Sequence, residues 1–424
     1  MKISNLILGN TVRRALCAFM FATSMATTFA YAQTAQPASK AGPAVGVDIT
    51  TGRPVKVTAD AAVKSDGPVP PGINAAAYLV VEATSGQVLA ESKANVRRDP
   101  ASLTKLMTAY LVFDALHQKK LSLNQQLRIP ERAWKAEGSR MFIEVGKAVT
   151  TEDLLRGLII QSGNDAAIAL AISVAGNESE FIALMNREAK RLGMKDTNFL
   201  NPTGLTQQDH YSTAYDLGIL SLALIRDFPQ YVKFYAEKSY THNKITQENR
   251  NRLLFLDPTV DGLKTGHTDA AGWCLIATVN RPPRKLLTVV LGAPNEATRV
   301  SESQKLIDWG FTAYESKRFY EGNKPIQQLA IWKSDIESIP IGFRDDVTAI
   351  AATGKVGDIT TNLSIKTPLI APIQLGDTIG TLTVKRAGNL IYERDVIALQ
   401  AAPQAGFFKR AWHGIVLWWK SIFK

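Results

Sequence analysis

Asp99-Pro100-Ala101-Ser102-Leu103-Thr104-Lys105, running on into Leu106, Met107, Tyr110, Leu111 and Phe113, is the stretch on which the reading of this chain turns. Asp is a favoured N-cap, and Pro is favoured at the first helical position, where its missing N–H is not needed. The apolar residues then recur with helical spacing, which predicts a helix with Ser102 in its first turn. Residues three apart share a helix face, so Lys105 stands beside the Ser102 hydroxyl. A hydroxyl attacks a carbonyl poorly at its free pKa and needs a proton acceptor next to it. The free N–H groups of the helix start also favour negative charge developing there.

Ser-x-x-Lys is a short pattern, and a second copy, Ser421 to Lys424, occurs in the basic tail. The weight comes from two further motifs in order. Thr150-Thr151-Glu152-Asp153 opens a helix with a capping-box pattern, and Leu154 to Gln161 continues it. Ser162-Gly163-Asn164 then interrupts before Asp165 to Val174 resumes, which suits a loop facing a cleft. Later, Asp261 to Thr268 precedes two alternating runs, Trp273 to Val279 and Leu286 to Leu291, joined by Arg281-Pro282-Pro283-Arg284. That predicts three antiparallel strands with Lys264-Thr265-Gly266 on the first. A lysine and a threonine there can bind a carboxylate, and Gly266 admits a close ligand backbone.

In this order the motifs resemble the penicillin-binding proteins and serine β-lactamases, whose sites use Ser-x-x-Lys, Ser-x-Asn and Lys-Thr-Gly. Arg97 to Lys105, Gly204-Leu205, Ser212 to Leu217 and Lys264 to Thr268 narrow the likeness to the low-molecular-mass D-alanyl-D-alanine carboxypeptidases, from about Ala76 to the C-terminus. The resemblance implies an α+β protein: a transpeptidase-like domain of antiparallel sheet and helices with a helical lobe, its site at their junction. It implies Ser102 as acylated nucleophile, and Lys105 as base, neutral through burial and the nearby cation of Lys264. Ser162 would relay the proton, Asn164 would hold the substrate backbone, and Lys264 and Thr265 would hold its terminal carboxylate. The backbone N–H groups of Ser102 and His267 would form the oxyanion site. Expected partners are peptidoglycan pentapeptide and β-lactams as acylating inhibitors, with no metal or organic cofactor; a homodimer is left open.

Two other readings compete. A β-lactamase of class A would carry Glu-x-x-x-Asn after Ser162, which is absent, and a wall scaffold would not need the intact trio. No imidazole is required for proton transfer, so His210 and His267 are not read as a triad base. Cys274 alternates inward with Ile276 on a strand and reads as core. In place of the small residue more common in the family, Arg140 follows Gly138-Ser139 at the expected cleft rim.

The remaining sequence sets the context. At 424 residues, 46% apolar and 21% charged, the chain has material for two globular domains. Lys2, Arg13 and Arg14 precede an apolar run from Ala15 to Phe29 and the small-residue site Ala30-Tyr31-Ala32, which predicts an export signal cleaved after Ala32. The net charge of +11 includes those three cations and no acid from the signal, so the exported chain keeps +8, suited to an anionic surface. Export argues against nucleic acid as a partner, and Cys274, left as the one mature cysteine, excludes a disulfide framework.

Residues 33–71 read as a flexible leader, 72–318 as the catalytic domain, 319–400 as a small all-β domain of short apolar runs, and 401–424 as a basic amphipathic helix. On that helix Phe408, Ala411, Trp412, Ile415, Trp418, Trp419, Ile422 and Phe423 oppose Lys409, Arg410, His413, Lys420 and Lys424. The apolar run falls short of the roughly 20 residues that a span needs, so the helix is expected to lie on a membrane surface. The alternative is docking on the β domain. The resemblance places this anchor on the outer, periplasmic face of the cytoplasmic membrane.

Overall fold

The computed structural model describes residues 67–422 and the backbone of two short strands, Val45–Val47 and Pro54–Lys56, which pair antiparallel. The expected export signal, most of the leader, and Phe423 and Lys424 lie outside the described residues.

A five-stranded sheet carries the first domain, in the spatial order Val88–Ser92, Ala77–Glu82, Arg284–Ala293, Gly272–Arg281, Val260–Thr268, antiparallel throughout. The expected three-strand meander is present, and it is joined to a hairpin, Ala77–Glu82 with Val88–Ser92, where Ala77–Glu82 pairs with Arg284–Ala293. Strand side chains alternate between faces, and both faces here are covered. Leu79, Val81, Cys274, Ile276, Leu287 and Val289 enter the core of the helical lobe. Tyr78, Val80, Leu286 and Val290 turn the other way, with Leu306, and Leu275, Ala277 and Val279 do so with Ile307. Leu306 and Ile307 come from the helix Glu296–Thr312. Cys274 is fully buried, as its alternation with Ile276 predicts.

The helical lobe is built on Lys105–His117, Thr151–Arg156, Asn164–Ala175, Glu178–Leu192 and Ala214–Asp227. The capping signal at Thr150 is used: its hydroxyl accepts from the Asp153 N–H at 3.0 Å.

The helix Glu296–Thr312 ends just before Tyr314 opens a strand, Tyr314–Tyr320, paired with Val347–Ala352. The expected boundary at 318 therefore falls inside a strand. A six-stranded sheet follows, with its own core of Ile339, Ile341, Leu382, Val384 and Val396.

The C-terminal helix spans Phe407–Ile422. Its polar side meets the β domain. The His413 Nδ1 accepts from the Lys333 N–H at 2.8 Å, the Lys420 ammonium lies 4.9 Å over the Trp332 ring, and the Lys409 Nζ donates to the Asp335 carbonyl at 3.3 Å. Phe408, Trp412, Ile415, Trp418, Trp419 and Ile422 are left exposed on the other side. No single described helix is long and apolar enough to cross a membrane.

Candidate active site

The local structure around Ser102 departs from the expected α-helical first turn. The Asp99 carboxylate accepts from the Ala101 N–H at 2.7 Å, and Ala101 takes a left-handed φ of 46°. Ala101–Thr104 form a single 3₁₀ turn, and the α-helix begins only at Lys105. The difference helps the chemistry, because a 3₁₀ turn has three residues per turn and eclipses positions i and i+3. Ser102 and Lys105 thus line up, and the Lys105 Nζ lies 3.0 Å from the Ser102 Oγ.

Lys105 is 1% exposed and its ammonium reaches two further acceptors, the Asn164 Oδ1 at 2.7 Å and the Thr203 carbonyl at 2.6 Å. Burial, with the Arg250 guanidinium adding to it and the Asp165 carboxylate opposing, pushes its pKa down to about 7. Arg250 is thus a cation acting on Lys105 that the sequence reading did not name, while the expected repulsion between Lys105 and Lys264 is felt at Lys264.

Ser162 sits at the end of a π-helical turn, Gly157–Gln161, in the left-handed region at φ 65°. That reversal aims its hydroxyl at Lys264, whose Nζ donates to it at 2.9 Å and to the Thr265 carbonyl at 3.0 Å. Lys264 is fully buried, and burial first, then Lys105, Arg250 and Arg299, hold its pKa well below the ordinary lysine value. An arriving carboxylate would offset that clustering of cations and raise the Lys264 pKa again.

Asn164 is placed between the two halves of the site, with its Oδ1 on Lys105 and its Nδ2 donating to the Glu137 carbonyl at 2.6 Å. In this structure its amide orients Lys105. Gly266 lines the cleft, and a Cβ there would also crowd the chain itself, meeting Ala101 at 3.2 Å and Leu103 at 3.3 Å. The close neighbour is the chain's own Ser102 turn. His267 is exposed and packs its ring 4.0 Å from that of Trp273. His210 is buried away from the cleft, where its Nδ1 accepts from the Leu200 N–H and its Nε2 faces the Thr104 hydroxyl; burial lowers its pKa to about 4.

These groups open on a cavity of about 610 Å³ lined by Ser102, Ser139, Ser162, Thr265, His267 and Trp273, with Arg250 and Arg299 on its wall. A larger, more apolar groove of about 970 Å³ along the helix Glu296–Thr312 shares Arg252 and Glu296 with it but holds none of the motif residues. Sequence reasoning missed Arg250, Asp165, Thr203 and Arg299. Asp165 alone had a visible signal, its place beside Asn164; it accepts from the N–H groups of Met141, Phe142 and Ile143 and pins that loop against the site.

An antiparallel sheet against a helical lobe, with a Ser-Lys pair and a Lys-Ser pair facing each other at the junction, defines a serine acylation enzyme of the penicillin-binding protein class. Residues 63–295 match the D-alanyl-D-alanine carboxypeptidase family and residues 314–404 match the penicillin-binding protein 5 C-terminal domain. The chain is 38% identical over 371 residues to D-alanyl-D-alanine carboxypeptidase DacC of Escherichia coli (strain K12), covering 83% of this chain and 91% of that protein. Among solved structures it resembles penicillin binding protein 5 from Haemophilus influenzae, with TM-score 0.71 and 36% identity over 80% of this chain and 100% of that one. Penicillin-binding protein D2 from Listeria monocytogenes, solved in its ampicillin-bound form, matches with TM-score 0.53 and 32% identity over 57% of this chain and 100% of its own. This chain belongs to the D-alanyl-D-alanine carboxypeptidase family.

Proposed function

We propose that this protein removes the terminal D-alanine from peptidoglycan pentapeptide stems through an acyl-enzyme on Ser102. The observation that carries the reading is the 3.0 Å contact between the Ser102 hydroxyl and a buried lysine with a pKa of about 7. A neutral Lys105 amine keeps two N–H bonds for Asn164 and Thr203 and turns its lone pair on the hydroxyl. The Ser102 oxygen attacks the carbonyl of the penultimate D-alanine, and its proton passes to Lys105. The oxyanion is held by the backbone N–H groups of Ser102 and His267.

Collapse breaks the peptide bond, with a proton reaching the leaving amine through Ser162, which Lys264 orients. Water then hydrolyses the ester. The terminal carboxylate sits against Lys264 and Thr265, with Arg250 and Arg299 adding charge from the same wall. β-Lactams acylate the same serine, a reading supported by the ampicillin-bound relative.

The chain is divided as 1–32 export signal, 33–71 tether, 72–318 catalytic domain, 319–400 β spacer and 401–424 membrane anchor. The anchor lies on the outer face of the cytoplasmic membrane through its exposed apolar stripe; the outward placement of three tryptophans supports this.

The test is D-alanine release from diacetyl-Lys-D-Ala-D-Ala by the purified exported chain, with Ser102→Ala and a penicillin-treated sample alongside. Release abolished in both controls is the expected result. Covalent penicillin labelling of Ser102 without release would point to another acyl substrate.

A further inference from the structure

Next to the cleft the segment 138–143 is tied down by hydrogen bonds from two sides. The Met141, Phe142 and Ile143 N–H groups all point at the buried Asp165 carboxylate, and Asn164 N donates to the Ser139 carbonyl at 2.7 Å. From the other side the hairpin Ser239–His242/Ile245–Glu248 closes on it, with the Gln247 Nε2 donating to the Arg140 carbonyl at 3.2 Å. What this frame presents is an exposed pair. Phe142 is 45% exposed and fixed at φ 65°, a conformation that costs a bulky residue about 1–3 kcal/mol and that is retained where surrounding structure demands it. The Arg140 guanidinium lies 5.4 Å from the Phe142 ring centre and forms no ion pair among the described residues.

Arg140 is also placed at a defined end of the cleft. Its chain neighbour Ser139 lines one wall; Gln247, which holds its carbonyl, precedes Glu248 on the other. Glu248 is itself paired with Arg252 at 3.3 Å, so it does not neutralise Arg140. The cations that suit the terminal carboxylate, Lys264, Arg250 and Arg299, come from the strand Val260–Thr268, the segment before it and the helix Glu296–Thr312. The Arg140 loop instead lies against Asn164, on the helical-lobe side, beside the acyl part of a substrate bonded to Ser102.

We propose that Arg140, steadied on Phe142, is a specificity-determining residue that binds a carboxylate carried by the acyl part of the substrate, on the side chain of the residue preceding D-Ala-D-Ala. This rests on the carboxypeptidase reading above. The guanidinium, unlike an ammonium, can meet a carboxylate with two parallel N–H donors while stacked on a ring.

The experiment compares kcat/KM for D-alanine release from two peptides that differ only in the residue before D-Ala-D-Ala: N-acetylated diaminopimelate with its distal carboxylate free, or the same residue with that carboxylate amidated. For an exposed pair the wild type should favour the free acid by about three- to fivefold, and less so as salt rises. Arg140→Gln should bring the two peptides to within about 1.5-fold by slowing the acid alone, and Arg140→Lys should keep part of the preference. Penicillin acylation should be unchanged in both variants, which checks that the site is intact. An unchanged acid-to-amide ratio in Arg140→Gln would overturn the assignment. Failure of the wild type to release D-alanine from either peptide would overturn the carboxypeptidase reading and this inference with it.

Discussion

The Lys264 Nζ donates to the Ser162 hydroxyl at 2.9 Å, closing a gap of 102 residues in the chain and facing the Lys105–Ser102 contact across one cleft. Two buried lysines in one site repel each other, and Arg250 adds to both. The arrangement favours a neutral Lys105, and it gives an incoming carboxylate an electrostatic reason to bind beside Lys264.

Acylation should follow the titration of Lys105. The neutral amine is the base, so the rate constant for acylation by benzylpenicillin should climb with pH through a midpoint of about 7. Lys105→Gln should lose on the order of 10²–10⁴ of that rate, the usual contribution of a positioned base. A rate that stays flat between pH 5 and 9 in the wild type would remove Lys105 from the role.

Arg250→Gln separates charge from motif. Arg250 lowers the Lys105 pKa, so its removal should move the same acid limb to higher pH, leaving less neutral lysine at pH 7. Peptides with a free terminal carboxylate should also bind more weakly than in the wild type. Stopped-flow acylation across pH and KM for D-alanine release read these two effects; an unshifted limb would show that Arg250 does not act on Lys105.

Two left-handed glycines should behave differently. Gly204 has φ 83°, and a Cβ there would lie 1.8 Å from the Ala101 carbonyl oxygen, inside the turn that carries Ser102. Gly204→Ala should therefore cost more than the roughly 1–3 kcal/mol of the conformation alone, and should slow acylation by displacing the turn. Gly146 has φ 74° with nothing near its Cβ position, so Gly146→Ala should lose only about 1–2 kcal/mol and leave acylation intact. Thermal melts and acylation rates of the pair check the contrast, and equal rates would place the Gly204 contact outside the site's needs.

The C-terminal helix offers a separate test. Trp412→Ser with Trp418→Ser removes two of its exposed aromatic groups without touching the His413 and Lys420 contacts on its other side. Binding to vesicles containing phosphatidylglycerol should weaken by about a hundredfold or more, since each buried large apolar side chain contributes on the order of 1.5–3 kcal/mol. D-Alanine release from a soluble peptide should not change. Undiminished sedimentation with vesicles would assign the stripe to something other than lipid.

Much of the fold was written in local patterns. The hairpin from Ala77 and the strands around Lys264 to Leu291 follow from period-two alternation, and the Thr150 cap from its own side chain. These features depend on neighbours within a few residues, which is the range over which a linear pattern carries information. The Ser-x-x-Lys spacing likewise put Lys105 beside Ser102, although the turn that achieves it is 3₁₀.

Other features needed the chain to close on itself. Arg250 follows a hairpin in a polar run with no periodicity, yet it is the first cation to bear on Lys105, because charge acts through space and burial weakens the screening. Gly266 reads as room for a ligand, and only the folded chain shows that a Cβ there would also crowd Ala101 and Leu103. By itself, then, the sequence determined the strands, the caps and which side chains could do acyl transfer. Only the tertiary structure decided which cations lower the two lysines, where Asn164 makes its hydrogen bonds, and what the polar side of the last helix meets. Each of those depends on distances between residues far apart in the chain, and no spacing along the chain encodes such a distance.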